Sequence, residues 1–411
     1  MKVPRCKGTR DLLPPDMAKF RKIEAEFRDC CLGWGYQEIR TPVLEYLHLF
    51  TSAGTLSPEM LGRVYSFLDW DGWSGERVVL RPDGTIPTAR LYVENFAKLP
   101  LCRLFYVENM FAFEGSGKES RERWQCGTEL IGGSKAEGDV ELISIALETM
   151  SRLDIEPVDI RLAHAGLIKI YLDGLGLSGE READILDKIF SGDTSVLGQL
   201  KGRNKKLEKS LPLLFGMKGD SPKLVENLRS VLLPELPAVK PCLDELARIA
   251  ALLSGLDFSY QIDFTSGRGF EYYTGIIFSF YNGKRRMGGG GRYDELIPLV
   301  GGKKVRASGF ALYIDELMAL LKEVPARRKI LLRAKDGEGL KLSLEVARLL
   351  REAGYTAEFD LGYKDTSDFR WIVDMRGDKG IELIDQLSGK KVRKSSPEGL
   401  LRFIEETGWC R

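Results

Sequence analysis

Tyr260 to Ile297 reads YQIDFTSGRGFEYYTGIIFSFYNGKRRMGGGGRYDELI. The strand pattern resumes here, and a strand feeding a helix, SGFALYIDELMALLKEV, follows. Upstream, roughly His164 to Leu256 is helical in pattern and carries no ligand motif. Before that stretch lie strands again. RLFYVENMFAFEG is joined to WQCGTELIGG by a Gly, Ser and charge-rich loop, which reads as a long hairpin from Phe105 to Gly132. A sheet that resumes after a helical stretch is interrupted rather than finished by it. The spacing therefore predicts one α+β core, residues 1–322, with a helical insertion at about 164–256. A small α/β domain at 327–411 follows, opening as KILLRA, a helix capped by Gly354, and TAEFDLG.

The bounds agree with that picture. A chain of 411 residues with 43% apolar and 29% charged residues is long enough for two domains and rich enough in apolar residues to bury a core. Its 61 basic and 60 acidic residues leave a formal charge of +1, which lends no support to a nucleic-acid surface. The run KGRNKKLEK (Lys201–Lys209) reads as a solvated face. Cys6, Cys30, Cys31, Cys102, Cys126, Cys242 and Cys410 are odd in number and lack C-x-x-C spacing, so free thiols in a reducing cytoplasm are expected, with no metal site. The start, MKVPRCKGTRDLLPPD, has no apolar signal region, and no run of about 18 apolar residues occurs, so neither export nor membrane spanning is expected. His48, in YLHLF, reads as packing. From Met17 to Trp34, apolar residues recur at helical spacing until Gly33 and Gly35 end the helix.

The chemistry-bearing residues are few. Gly288 to Gly291 precede Arg292, and four glycines in a row are more than a hairpin turn needs, so they are expected to line a ligand. They do not form a phosphate-binding loop of the Gly-Lys-Ser/Thr kind. The turn Leu80-Arg81-Pro82-Asp83-Gly84-Thr85 is rigid and offers one cation and one anion. Gln125 and Glu129, four apart on a strand, share a face. Asp83, Gln125 and Glu129 suit an ammonium, and Arg268 suits a carboxylate gripped bidentately. Such a set describes a pocket for a free amino acid. Alternation in a strand sends Tyr272 and Tyr273 to opposite faces.

Taken in order, KGTRDLLP, the P-x-x-E of Pro42 to Glu45, LRPDGT, the hairpin, RGFEYYTG, GGGRYDEL and GFALYIDEL resemble the catalytic core of class II histidyl-tRNA synthetases. These motifs cover about residues 5–160 and 258–322. The resemblance implies an antiparallel sheet flanked by helices, a dimer formed through the first motif, and a histidine cradled by Asp83, Gln125, Glu129, Arg268, Tyr272 and Tyr273. It implies no metal or other cofactor. Asp83 is a shortened form of the family's glutamate, and Glu271 a lengthened form of its aspartate.

Two departures bear on function. In that family the second and third motifs each supply an arginine to the phosphates of ATP. Here those positions are Ala112, in Phe111-Ala112, and Glu316, with Arg121 and Arg292 left as possible remnants of a phosphate site. Attack of a carboxylate on the α-phosphate requires its shifting negative charge to be neutralised, and losing one phosphate arginine costs about 3 kcal/mol or more. Glu316 also reverses the sign. The third region resembles the start of an anticodon-binding domain, but the linker Gly362 to Phe369 is too short for the helix that normally follows its second strand. That argues against tRNA reading.

A paralogous branch of the same family fits this pattern: noncatalytic regulatory subunits of ATP phosphoribosyltransferase, which acts in histidine biosynthesis. The resemblance implies no catalytic residue in this chain and a short-form catalytic subunit as partner in a cytoplasmic hetero-oligomer, with histidine as effector. An active histidyl-tRNA synthetase, and a histidine-binding paralogue with another partner, stand beside that reading.

Overall fold

The computed structural model describes residues 3–53, 62–69, 75–113, 120–133, 135–177, 205–220, 222–266, 272–324, 328–334, 338–363, 365–376 and 380–406, together with 185, 188, 195 and 196. The chain divides into two compact units, 1–324 and 325–411.

In the first unit the strands are β1 (Gln37–Glu38), β2 (Leu44–Tyr46), β3 (Ser66–Leu68), β4 (Arg77–Leu80), β5 (Cys102–Phe111) and β6 (Glu122–Ile131). There follow β7 (Asp159–His164), β8 (Lys218–Gly219), β9 (Tyr260–Asp263), β10 (Ile276–Asn282), β11 (Arg285–Arg292) and β12 (Ala307–Tyr313). The helices are α1 (Pro14–Gly33), α2 (Leu47–Ser52), α3 (Thr85–Asn95), α4 (Lys135–Arg152) and α5 (Ala165–Gly174). After them come α6 (Lys205–Gly216), α7 (Pro222–Leu232), α8 (Lys240–Gly255), α9 (Leu296–Leu299) and α10 (Ile314–Leu320).

Nine strands form one sheet in the order β1-β5-β6-β12-β11-β10-β7-β9-β8. Its body, β5 through β7, is antiparallel as expected, whereas β1 with β5 and β7 with β9 are parallel pairs. The hairpin of β5 and β6 runs in unbroken register from Cys102 opposite Ile131 to Phe111 opposite Glu122. The four consecutive glycines lie within β11, between β10 and β12, and the turn is at Gly283.

Helix α1 begins with two prolines in its first turn, where a missing N–H costs nothing, and buries Phe20, Ile23, Phe27, Cys30 and Cys31 as one stripe. Phe27 meets Phe105 and Phe310 edge-on at 5.9 and 6.5 Å, which seats the helix across the sheet. Each such buried aromatic contributes about 1.5–3 kcal/mol. Helix α4 lies beside it with Leu142, Ile143, Ile145 and Ala146 buried. The insertion helices α5 and α8 share this same core through residues such as Leu167, Tyr171, Leu246 and Leu253. In the described part of the lysine run, on α6, Lys205, Lys206 and Lys209 are exposed, while Leu207 is buried in the core.

A smaller sheet, β2-β4-β3, packs one face inward through Val79. Its other face aligns Tyr46, Val78 and Phe67 across the three strands, with Tyr46 and Phe67 each 45% exposed.

Deep inside the unit, the Arg292 guanidinium donates to both Asp139 of α4 and Glu245 of α8. Asp139 also accepts from Ser308 of β12 at 2.7 Å, and Glu245 accepts from His164 Nε2 at 2.9 Å. His164 Nδ1 in turn accepts from the Leu167 N–H and caps α5, which leaves the proton on Nε2. Burial opposes the charge on Glu245, but the bonds from His164 and Arg292 hold its carboxyl down to about 2.

The second unit contains β13 (Lys329–Arg333), α11 (Glu338–Glu352), β14 (Thr356–Phe359), β15 (Trp371–Asp374), β16 (Ile381–Asp385), β17 (Lys391–Lys394) and α12 (Pro397–Glu406). Its sheet order is β14-β13-β15-β16-β17, and α11 and α12 close over Ile330, Leu332, Trp371, Val373 and Leu383. Among the described residues no helix separates β14 from β15. Gln386 instead donates to the carbonyls of Thr366 and Phe369 and holds the connecting loop, where Phe369 is buried. No helix among the described residues is long and apolar enough to cross a membrane.

Replacing Arg292 by alanine removes the cation shared by the buried Asp139 and the half-buried Glu245, leaving them only Ser308 and His164. We expect urea denaturation to show a loss of about 3–5 kcal/mol, the usual cost of removing one partner from a buried pair.

Candidate functional site

The register of three central strands builds a floor almost without side chains. Across β6, β12 and β11, Glu129 stands opposite Gly309, which stands opposite Gly291; one rung along, Gly127 stands opposite Ala311 and Gly289. Tyr313 opposite Gln125 closes the row. Directly opposed residues in a sheet point to the same face. One face of the sheet therefore carries Gly127, Gly289, Gly291, Gly309 and Ala311 as a floor, with Glu129 and Gln125 rising from it. A Cβ at Gly309 would lie 1.7 Å from Glu129 Oε2, and one at Gly291 would press on the Tyr273 ring at 3.1 Å. The glycine run leaves room for groups that stand over it.

Glu129 is buried at the end of this floor. Its Oε1 accepts from Thr85 Oγ1 at 2.7 Å and from the Tyr106 hydroxyl at 3.4 Å, and its Oε2 accepts from the Tyr293 hydroxyl. Desolvation outweighs these three donors and raises the carboxyl to about 8. The Tyr106 ring reaches Glu129 through a gap lined by Gly84 and Gly127, where added Cβ atoms would lie 2.5 and 2.1 Å from it.

Asp83 caps the start of α3, its Oδ1 accepting from the Ile86 N–H at 2.8 Å, and its Oδ2 accepts from the Tyr272 hydroxyl at 3.5 Å. Burial raises its carboxyl as well. The turn that presents Asp83 is anchored by Arg81. That guanidinium pairs with Glu108 at 2.6 Å and donates to Thr41 and Asn109, while Glu108 accepts from the Thr41 N–H and hydroxyl. Arg81 is thus wholly engaged in positioning.

Tyr272 and Tyr273 do not lie on opposite faces. Regular strand begins only at Ile276, so the alternation has no hold on them, and their rings lie 5.0 Å apart, tilted at 56°. Tyr293 completes the cluster at 5.7 Å from Tyr272 and 6.3 Å from Tyr273. Arg268 and Glu271 fall outside the described residues.

The four residues read as remnants of a phosphate site part company. Arg292 is committed to Asp139 and Glu245 on the opposite face of β11 from Gly291. Ala112 and Arg121 meet at the loop end of the hairpin, where the Ala112 N–H donates to the Arg121 carbonyl at 3.0 Å and Arg121 lies 5.1 Å over the Phe113 ring. Glu316, in the first turn of α10, pairs with Arg285 at 2.5 Å, and its neighbour Asp315 pairs with Arg10. Both acidic residues at the start of α10 are thus engaged with arginines of this chain, in pairs that stand at the surface, Arg285 and Glu316 being 43% and 39% exposed.

Tyr106, Thr85 and Tyr293 belong to the site although sequence reasoning assigns them no role. Tyr293 follows directly on Arg292, but its bond to a residue 164 positions away has no local signature. The six described cysteines are free, four of them buried, and no three described His, Cys, Asp or Glu residues are placed to hold a metal ion.

The histidyl-tRNA synthetase family model matches residues 8–317. An ATP phosphoribosyltransferase regulatory subunit of Dehalococcoides mccartyi is 46% identical over 392 residues, covering 94% of this chain and 95% of that relative. A histidine–tRNA ligase of Methanosarcina acetivorans is 32% identical over 95% of this chain and 96% of its own. The crystal structure of an ATP phosphoribosyltransferase regulatory subunit/histidyl-tRNA synthetase from Bacillus halodurans superposes with a TM-score of 0.76 at 24% identity. It covers 91% of this chain and 98% of that one.

Because the carboxyl of Glu129 titrates near 8 in the fold rather than at its ordinary value, folding favours its protonated form. Its penalty is absent below pH 4.5 and grows as pH rises towards 8. We expect Glu129→Gln to raise the unfolding free energy more at pH 9 than at pH 5. The gain is about 1.4 kcal/mol for every tenfold difference in proton affinity, between the folded and unfolded chain, that the substitution abolishes. Equilibrium denaturation at the two pH values measures this.

Proposed function

The chain belongs to the histidyl-tRNA synthetase family and, within it, to the ATP phosphoribosyltransferase regulatory subunits of histidine biosynthesis, and from that premise we propose that it senses histidine without activating it. In this reading the chain enables a short-form catalytic subunit in a cytoplasmic hetero-oligomer and conveys histidine feedback, while adenylating nothing and reading no tRNA. The observation that carries the noncatalytic part is the Glu316–Arg285 pair. Where an adenylating relative presents a cation to triphosphate, this chain presents a carboxylate already engaged with its own arginine.

Histidine is assigned to the cleft over the glycine floor. Glu129, Asp83 and Gln125 take its ammonium, Tyr272 and Tyr273 wall its ring, and Arg268 takes its carboxylate. An ammonium brought to Glu129 favours the ionised carboxyl, so binding releases a proton near neutral pH. To regulate, histidine must bind two assembly states unequally. Self-association is assigned to the face bearing the exposed Tyr46, on the strand that follows the first motif's proline, and Phe67 of β3.

Phosphoribosyl-ATP synthesis tests the whole reading. We expect the purified short-form subunit to need this chain for full activity and to lose that activity as histidine is titrated; activity indifferent to this chain would overturn it. Pyrophosphate exchange into ATP should stay at background. Calorimetry should show histidine binding more tightly as pH rises from 6 to 8, with Glu129→Gln weakening it by about tenfold or more, about 1.4 kcal/mol. Light scattering should find a dimer in the parent protein and a monomer in Phe67→Asp.

A further inference from the structure

Two helices of the first unit end in the same way, side by side. At the end of α4 the Asp154 N–H donates to Ser151 O at 2.9 Å and the Ile155 N–H to Met150 O at 2.9 Å. At the end of α8 the Asp257 N–H donates to Ser254 O at 3.2 Å and the Phe258 N–H to Leu253 O at 3.0 Å. Asp154 and Asp257 have φ of 56° and 58°, and among the described residues they alone are non-glycine with positive φ. Each helix then enters one of the parallel neighbours β7 and β9.

Glycine or asparagine is the usual choice at such a left-handed helix terminus, and a carboxylate there opposes the partial negative charge of the helix end. The chain makes this unfavourable choice twice, at one place. Both aspartates are exposed, and among the described residues neither pairs with a cation.

Between the two corners lies an open groove of about 1000 Å³. Its walls include Trp34, Leu147, Pro157, Val158, Leu256 and Phe258, with Trp34 37% and Leu256 50% exposed. The Trp34 indole is fixed by its bond to Glu148 at 2.7 Å, and Arg152, the nearest cation on α4, is spent on that same carboxylate. Glu156 and Asp257 stand on the rim, and a smaller polar recess sharing Ile160 and Ser259 adds Asp159, Asp220 and Arg161, the last engaged with Asp263 at 3.7 Å and lying 3.9 Å over the Tyr281 ring. The groove is thus apolar inside and negative around its edge. Local propensity broken twice without an internal compensation marks a surface retained for contact.

We propose that this groove is the docking site for the phosphoribosyltransferase catalytic subunit, through a segment that inserts apolar side chains and carries lysine or arginine at its flanks. The proposal rests on the partnership stated above. Charge complementarity selects the occupant: the acidic rim repels an acidic segment and attracts a basic one, and only an apolar segment fills the walls. The insertion thereby acquires a role, since α8 supplies one lip.

The test compares three purified forms of the full chain for binding to the purified short-form subunit, by calorimetry at two salt concentrations. The forms are the parent, Leu256→Asp, and the double variant Asp154→Asn with Asp257→Asn. We expect Leu256→Asp to bind at least about tenfold more weakly. The double variant, which keeps residues that tolerate positive φ, should bind more weakly with a shallower salt dependence, at a Tm equal to or above the parent's. Histidine affinity and self-association should be unchanged in both. Parental binding by both variants would overturn the docking site and leave the partnership standing. A parent chain that does not bind the subunit would overturn the partnership, and this proposal with it. Loss of self-association in Leu256→Asp would make the occupant a second copy and overturn the assignment.

Discussion

The fold of the first unit turns on one buried guanidinium. Arg292 joins a helix that precedes the insertion, a helix that ends it, and a strand that follows it, through Asp139 and Glu245. A single unpaired charge in that position would be costly, so the arrangement is stable only when all its members are present. It answers the mechanical problem that an insertion poses. Two halves of a sheet separated by a long stretch of chain must be held in register, and a shared cation with His164 and Ser308 attached does so.

With the sheet held in this way, the two ends of the glycine floor can be told apart by what builds them. The floor and the acidic end of the cleft depend on backbone register and on Thr85, Tyr106 and Tyr293. The other end depends on a few side chains at the margins of β5, β11 and α10, and there Ala112 and the Glu316–Arg285 pair stand. The ends are built from different elements, so one can change without disturbing the other.

Much of this is legible in the residues. The hairpin, the interrupted sheet, the missing helix after β14 and the shared face of Gln125 and Glu129 all follow from local periodicity and linker length. The antiparallel body is what the resemblance to the synthetase core implies, and the parallel pairs at the sheet's ends are not foreseen. What escapes is nonlocal. Arg292 looks like a ligand contact in GGGRYD until Asp139 and Glu245, distant in sequence, are brought against it. Tyr272 and Tyr273 defy the alternation rule because they precede the regular strand, and that boundary is set by pairing partners far along the chain. The glycine run reads only as more than a turn needs, and the pairing of β11 with β12 shows why side chains are excluded there.

That floor has an evolutionary corollary. A surface made of backbone offers mutation almost nothing to adjust: any gain of a side chain at Gly309 or Gly127 collides with Glu129 or Tyr106 instead of tuning a contact. Specificity carried by such a surface cannot drift in small steps. Lineages sharing it can diverge in what they do with a ligand far more easily than in which ligand they accept.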